Sequence, residues 1–241
     1  MRPSSTKLYS STPRSRWRGA QRERAGTGCS TSEEPPPDSS PKTRKRAKRR
    51  YRKRHRAEQE DQTRRRITEA AVELHGSVGP ARTTISAVAE RAGVQRATVY
   101  RHFPDEETLF GACSSYWLAQ NPLPDAAAWA AVADPEERLR IALAELYAWY
   151  ARGEEILERT TRDAALVPAM RAPMEFLEMW LAEAASTIGR GRPERGNRRR
   201  RIDATIGHAV SFATWRSLVR EQGLAESAAV DLMVGLVELA D

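Results

Sequence analysis

Apolar residues fall into a repeating pattern only from about residue 63 onward. Residues 1–62 are Ser-, Thr-, Pro- and Arg-rich, pass through PPPDSSP at 35–41 and have no hydrophobic period. They are expected to be disordered to residue 56, with 57–66 leading into a helix. The stretch TRRRITEAAVELHG then places Ile67, Ala70, Ala71 and Leu74 at helical spacing, until Gly76, Gly79 and Pro80 end it. Thr83 or Thr84 can cap a second helix, TISAVAERA, with Ile85, Val88, Ala89 and Ala92 on its inner face. Gly93 stops that helix, and a short third one, Gln95 to about His102, follows. Pro104 and Asp105 open a fourth, DEETLFGACSSYWLA, whose first-turn acids suit the positive end of the helix dipole. Beyond NPLPD at 121–125 the periodicity predicts helices near 135–151, 154–166, 172–188, 200–221 and 226–239, with breaks at Gly153, Pro168, the 189–197 loop and Gly223. No segment alternates with period two, and there are no internal repeats. The expected fold is all-α, with about nine helices behind a disordered basic tail.

The junction of the second and third helices carries the first functional signal. Two helices joined by so short a turn must cross steeply. Ala89 supplies a small residue at the contact, Gly93 a left-handed corner and Val94 a plug between the helices. This spacing is that of a helix-turn-helix. On the third helix Val99 and Phe103 face inward, whereas Arg96, Ala97, Tyr100 and Arg101 point outward. An outward arginine can bridge guanine or grip phosphate, Ala97 and the Thr98 methyl can meet thymine methyls, and Tyr100 can bond phosphate. His102 lies on the flank, as readily a structural histidine as a DNA contact.

With these residues in view, Thr63 to about Trp117 resembles the N-terminal domain of the tetracycline-repressor (TetR) family of bacterial regulators, above all over TTISAVAERAGVQRATVYRHFPDEETLF. The resemblance implies a homodimer binding double-stranded DNA at a palindromic operator, and release when a small-molecule effector enters the C-terminal domain. It divides the chain into a 1–62 Arg/Lys-rich extension, a 63–110 DNA-binding domain and a 111–241 effector-binding and dimerisation domain. By position it assigns DNA contacts to Thr83, Thr84, Gln95, Arg96, Ala97, Thr98, Tyr100, Arg101 and His102. Two positions depart from the family pattern. Gln95 stands where members often have Ser or Thr, a better cap. Glu106 stands where many have a phosphate-binding Lys.

Charge modifies this picture. Residues 1–56 hold 18 Lys/Arg against 4 Asp/Glu, a net of +14; since the whole chain is +8, residues 57–241 carry −6. The 42–56 segment KTRKRAKRRYRKRHR has 11 basic residues in 15 and no acid. Such an arm suits a polyanion: either it adds salt-sensitive affinity while the third helix supplies sequence choice, offsetting the repulsion of Glu106, or it adds little. Two cysteines, Cys29 and Cys113, make no disulfide framework and fit a reducing cytoplasm, where the protein would associate with the nucleoid. The longest apolar run, 126–133, is far too short to span a bilayer, so no membrane partner is expected.

The last two helices carry apolar faces broad enough to pack on a partner copy as well as on their own core, which would place the homodimer interface near 200–221 and 226–239. Candidate effector-pocket residues are Trp117, Trp149, Tyr150, Phe176, Trp180, His208, Phe212 and Trp215, with Met174 and Met179 beside them. RGRP at 190–193 has the form of an AT-hook core, but the preferred reading is a flexible loop between helices with a basic start to the next one. No phosphate-binding glycine loop, nucleophile elbow or metal-ligand spacing is present, so no catalytic residue, metal or cofactor is expected. The competing reading is a non-specific nucleic-acid-binding protein driven by the basic arm. A third is a ligand-binding helical protein whose DNA function has lapsed, hinted at by Glu106.

Overall fold

The computed structural model describes residues 41–240. The chain divides into two units, Met1–Lys48 and Arg49–Asp241. Cys29 and the first 40 residues of the basic extension lie outside the described residues. Helix α1 spans Pro41–Ser77, so the part of the extension from 41 to 56, expected to be disordered, is helical. The missing hydrophobic period misled there, because a solvated helix needs none. Arginine and lysine are good helix formers, and Arg54–Glu58 and Arg56–Glu60 pair one turn apart at 2.9 and 3.2 Å.

The N-terminal domain packs α1, α2 (Ile85–Ala92), α3 (Arg96–His102) and α4 (Glu106–Gln120) around Ile67, Ala71, Val88, Val99, Phe103 and Leu109, all buried. Asp105 caps α4 by accepting from the Thr108 amide at 2.7 Å. A short α5 (Ala126–Ala130), not expected from the sequence, buries Trp129. Too few residues repeat there for a period to show.

Helix α6 runs unbroken over Pro135–Asp163, correcting the break expected at Gly153. That glycine is buried inside the helix, and a Cβ there would lie 2.7 Å from Cζ2 of Trp117. Its role is close approach between α6 and α4 rather than helix termination. Helix α7 covers Arg171–Ile188 and α8 covers Gly196–Ala209. The single helix expected over 200–221 is interrupted after Ala209. Ser211 caps α9 (Phe212–Trp215), and a π-turn follows over Arg216–Glu221. Two buried tyrosines of α6 hold the interruption open: the Tyr147 hydroxyl donates to the Ala209 carbonyl at 2.9 Å and the Tyr150 hydroxyl to the Val210 carbonyl at 2.5 Å. Helix α10 (Glu226–Leu239) packs beside α6 and α8, burying Val230, Met233, Val234 and Val237. No helix of the described residues is long and apolar enough to cross a membrane.

Candidate nucleic-acid interface and effector cavity

The α2–α3 corner is built from the residues the sequence singled out. Thr84 is the cap, its hydroxyl oxygen accepting from the Ala87 amide at 3.1 Å, whereas Thr83 donates its hydroxyl to the Gly79 carbonyl at 2.8 Å. At the other end Gly93 adopts φ 65°, ψ 40°. Its amide donates to Glu90 O at 3.1 Å and the Val94 amide to Ala89 O at 2.9 Å, the paired closure of a Schellman motif. Gln95 occupies the cap of α3 without a side-chain hydrogen bond, consistent with its poor capping chemistry.

Helix α3 hangs from Val99 and Phe103, which are 0% and 2% exposed. Gln95, Arg96, Ala97, Tyr100 and Arg101 are exposed and Thr98 and His102 half-buried; Thr84 is exposed as well. Thr83 is half-buried beside it. Sequence reasoning missed Arg64. Its Nη1 donates to the His102 carbonyl at 2.6 Å, and its guanidinium lies 4.1 Å over the Phe103 ring, fixing the end of α3 to α1. Only the contact across 38 residues reveals this. The His102 ring is held below the ordinary histidine range, first by burial and then by the charges of Arg101 and Arg64. Glu106 is exposed at the first turn of α4.

A cavity of about 100 Å³ opens where α1 and α4 meet α6 and α7. Of the eight aromatic and histidine candidates, Trp117, Trp149 and Phe176 line it, together with Met174. The other five lie elsewhere. Tyr150, Phe212 and Trp215 pack on one another at the α8–α9 interruption, with ring centroids 5.3–6.0 Å apart; Phe212 and Trp215 are stacked and Tyr150 meets Phe212 edge-on. Trp180 packs edge-on to Trp129, and His208 is exposed beside the Thr214 hydroxyl. Lining residues not foreseen include His75, Phe110, Cys113 and Leu177. His75 and Phe110 stack at 4.7 Å with rings 6° from parallel. Their place in a cavity depends on how two domains meet, which no local pattern encodes. Among the described residues no group of three or more His, Cys, Asp or Glu side chains could hold a metal ion.

Burial pushes His75 down to about 4 and the Cys113 thiol up to about 12, so both stay uncharged near neutral pH. Because the folded-state value of His75 lies below its unfolded 6.5, stability is fully present above pH 6.5 and is lost as pH falls toward about 4. The total loss from this group should be about 3 kcal/mol. His75→Phe should flatten that part of a urea-unfolding profile, and an unchanged slope would show that His75 does not titrate there.

The same joint has a polar latch. Asp163, at the end of α6 and 3% exposed, accepts from the Ala81 amide at 3.0 Å and pairs with Arg162 at 2.7 Å. Gly79, at φ 95°, lies against this pair with no room for a side chain. Helix α6 is thereby hydrogen-bonded to the turn that leads into α2. The RGRP loop is likewise structural: Arg192 is buried and bonds Glu238 of α10 at 3.0 Å, while the Arg190 carbonyl accepts from buried Arg138 at 2.6 Å.

A helix-turn-helix domain is joined through α4 to a larger helical body. Residues 67–113 match the family described as "Bacterial regulatory proteins, tetR family". Among solved structures, a putative fatty acid metabolism regulator from Clostridium perfringens has the same fold at a TM-score of 0.52, with 15% identity over 72% of this chain and 97% of that one. A TetR-like transcriptional regulator from Rhodococcus sp. RHA1 aligns at TM-score 0.49 and 21% identity, over 73% of this chain and 93% of that one. No curated protein sequence matches the chain.

Proposed function

We propose that the protein is a ligand-responsive transcriptional repressor that binds a palindromic DNA operator as a homodimer. The observation that carries this reading is α3 itself. It spends only Val99 on its own burial and presents Arg96, Ala97, Tyr100 and Arg101 to solvent. Such a helix adds little to the core but fits the major groove. Thr98 and Gln95 complete the reading face, and Thr83 and His102 support it from its flanks.

Dimerisation is assigned to the outer side of α10, where Leu232, Leu236 and Leu239 remain 43%, 41% and 82% exposed although the helix is already packed on α6 and α8. Covering this stripe with a second copy would remove apolar surface from water and fix the spacing of two reading helices. The effector is assigned to the cavity bounded by Trp117, Trp149, Phe176, His75 and Cys113. Its lining selects a mostly apolar small molecule. At about 100 Å³ the cavity is below the roughly 300–1,000 Å³ of typical ligand sites, so an effector must part α4 and α7 to enter. Motion of α4 would be felt in the reading domain, because α4 belongs to both cores.

Selection of binding sites from random duplexes by the full chain tests the reading. Enrichment of one inverted repeat is expected; retention of DNA without enrichment of any sequence would favour the non-specific alternative.

A further inference from the structure

We infer that the face of α1 carrying Arg49, Arg52, Lys53 and Arg56 is a second contact with duplex DNA, gripping the phosphate backbone beside the segment that α3 reads. This rests on α3 facing DNA, as proposed above. An open groove runs between α1 and the end of α3, lined by Arg56, Gln59, Glu60, Thr63, Arg101 and His102. Arg101 therefore belongs both to the reading face and to this groove, and Arg64 pins the two helices together one turn further along. The side of α1 that meets α3 is thus fixed by contacts.

Following that side toward the N-terminus at 3.6 residues per turn, Arg49, Arg52 and Lys53 all fall within about 60° of the Arg56 direction. The acids do not share it evenly. Glu58 and Asp61 fall on the back of the helix, where Glu58 pairs with Arg54 at 2.9 Å. Glu60 is on the near side and pairs with Arg56 at 3.2 Å, leaving Arg56 82% exposed. Arg49, Arg52 and Lys53 are exposed and have no carboxylate partner among the described residues. Seven residues rise about 10 Å, the axial length of about three phosphates on one strand. The basic face therefore extends the reading face by a matching stretch of backbone.

Charge complementarity selects a polyanion, and the position of Tyr51 selects DNA over a membrane. A helix that lies in a lipid surface needs apolar side chains opposite its basic face and dipping into the bilayer, in a broad stripe. Tyr51 is the only large apolar side chain from Arg49 to Arg56. It stands 69% exposed on the back of the helix, too little to anchor it.

The test compares two pairs of substitutions in the full chain, each removing two charges and each freeing one glutamate. Arg52→Gln with Arg56→Gln alters the face toward α3; Arg50→Gln with Arg54→Gln alters the side and back. Glutamine preserves helix propensity, which circular dichroism checks. Binding to a random-sequence duplex is measured against salt. The first pair should flatten the slope of log K against log salt by about 2, so that about ten-fold less affinity is lost between about 50 and 200 mM. The second pair should change the slope by less than half as much. Arg49→Gln with Lys53→Gln, which frees no glutamate, should repeat the first result. Equal slopes for front and back pairs, or no change in either, would overturn the inference. So would loss of binding to phosphatidylglycerol vesicles with duplex binding intact. Because the probe is random-sequence DNA, the outcome is independent of operator selection: an enriched repeat with unmoved slopes sinks the arm alone, and moved slopes without a repeat sink the operator reading alone.

Discussion

Alanine at both Arg96 and Tyr100 should weaken binding to the selected operator about a hundred-fold while leaving the melting temperature unchanged. Both side chains are exposed on α3 and neither makes a hydrogen bond or ion pair within the described residues, so the folded protein loses little when they go. Each has a defined job in a groove complex. A bidentate arginine contributes about 1–3 kcal/mol of discrimination, and a tyrosine hydroxyl on phosphate adds positioning. Together the loss is about 3 kcal/mol, or two decades in Kd. Binding to random-sequence duplex should fall much less, because the arm still attracts phosphate. Equal losses on operator and random DNA would remove α3 from the reading role.

The second large effect concerns the latch between α6 and the turn before α2. Asp163→Ala should destabilise the protein by about 2–3 kcal/mol, because it leaves the Ala81 amide without its acceptor and Arg162 without its partner. Asp163→Asn keeps an acceptor and should recover part of that loss. The Arg162 guanidinium, aided by the Ala81 amide and opposed by burial, holds the Asp163 carboxyl below its usual 3.8. A depressed carboxylate value means that this stability is present above pH 3.8 and is lost as pH falls through the lower, folded-state value. Denaturant unfolding at neutral pH gives the size, and amide exchange over residues 78–83 gives the location. A full-strength Asp163→Ala protein with protected amides there would mean that the two domains are held by apolar contacts alone.

The helix-turn-helix was legible in the sequence because every part of it is local. Ala89, Gly93 and Val94 lie within six residues, and the hydrogen bonds that close the corner join groups no further apart. Val99 and Phe103 could be placed inside from helical spacing alone, and both are buried. The glycine at 153 shows the opposite case. A glycine in a helical pattern reads as a break or as a close contact, and the choice depends on Trp117, which sits 36 residues away in sequence. The arm at 41–56 failed for another reason, since periodicity reports burial and a solvated helix buries nothing.

What the sequence by itself determined is the all-α class, the short third helix after the turn and which of its side chains face out, because period, capping and turn chemistry act over a few residues. The tertiary structure alone decided that Thr84 and not Thr83 is the cap, that Arg64 anchors α3, and that α8 ends at Ala209 under two tyrosine hydroxyls. It also decided which aromatic residues line the cavity. Trp117, Trp149 and Phe176 do so, while Tyr150, Trp180, Phe212 and Trp215 fill the interior elsewhere or pack along its edge. All are large and apolar, and any of them can serve in a core. Their division follows from how α1 and α4 close against α6 and α7, a packing of segments far apart in the chain.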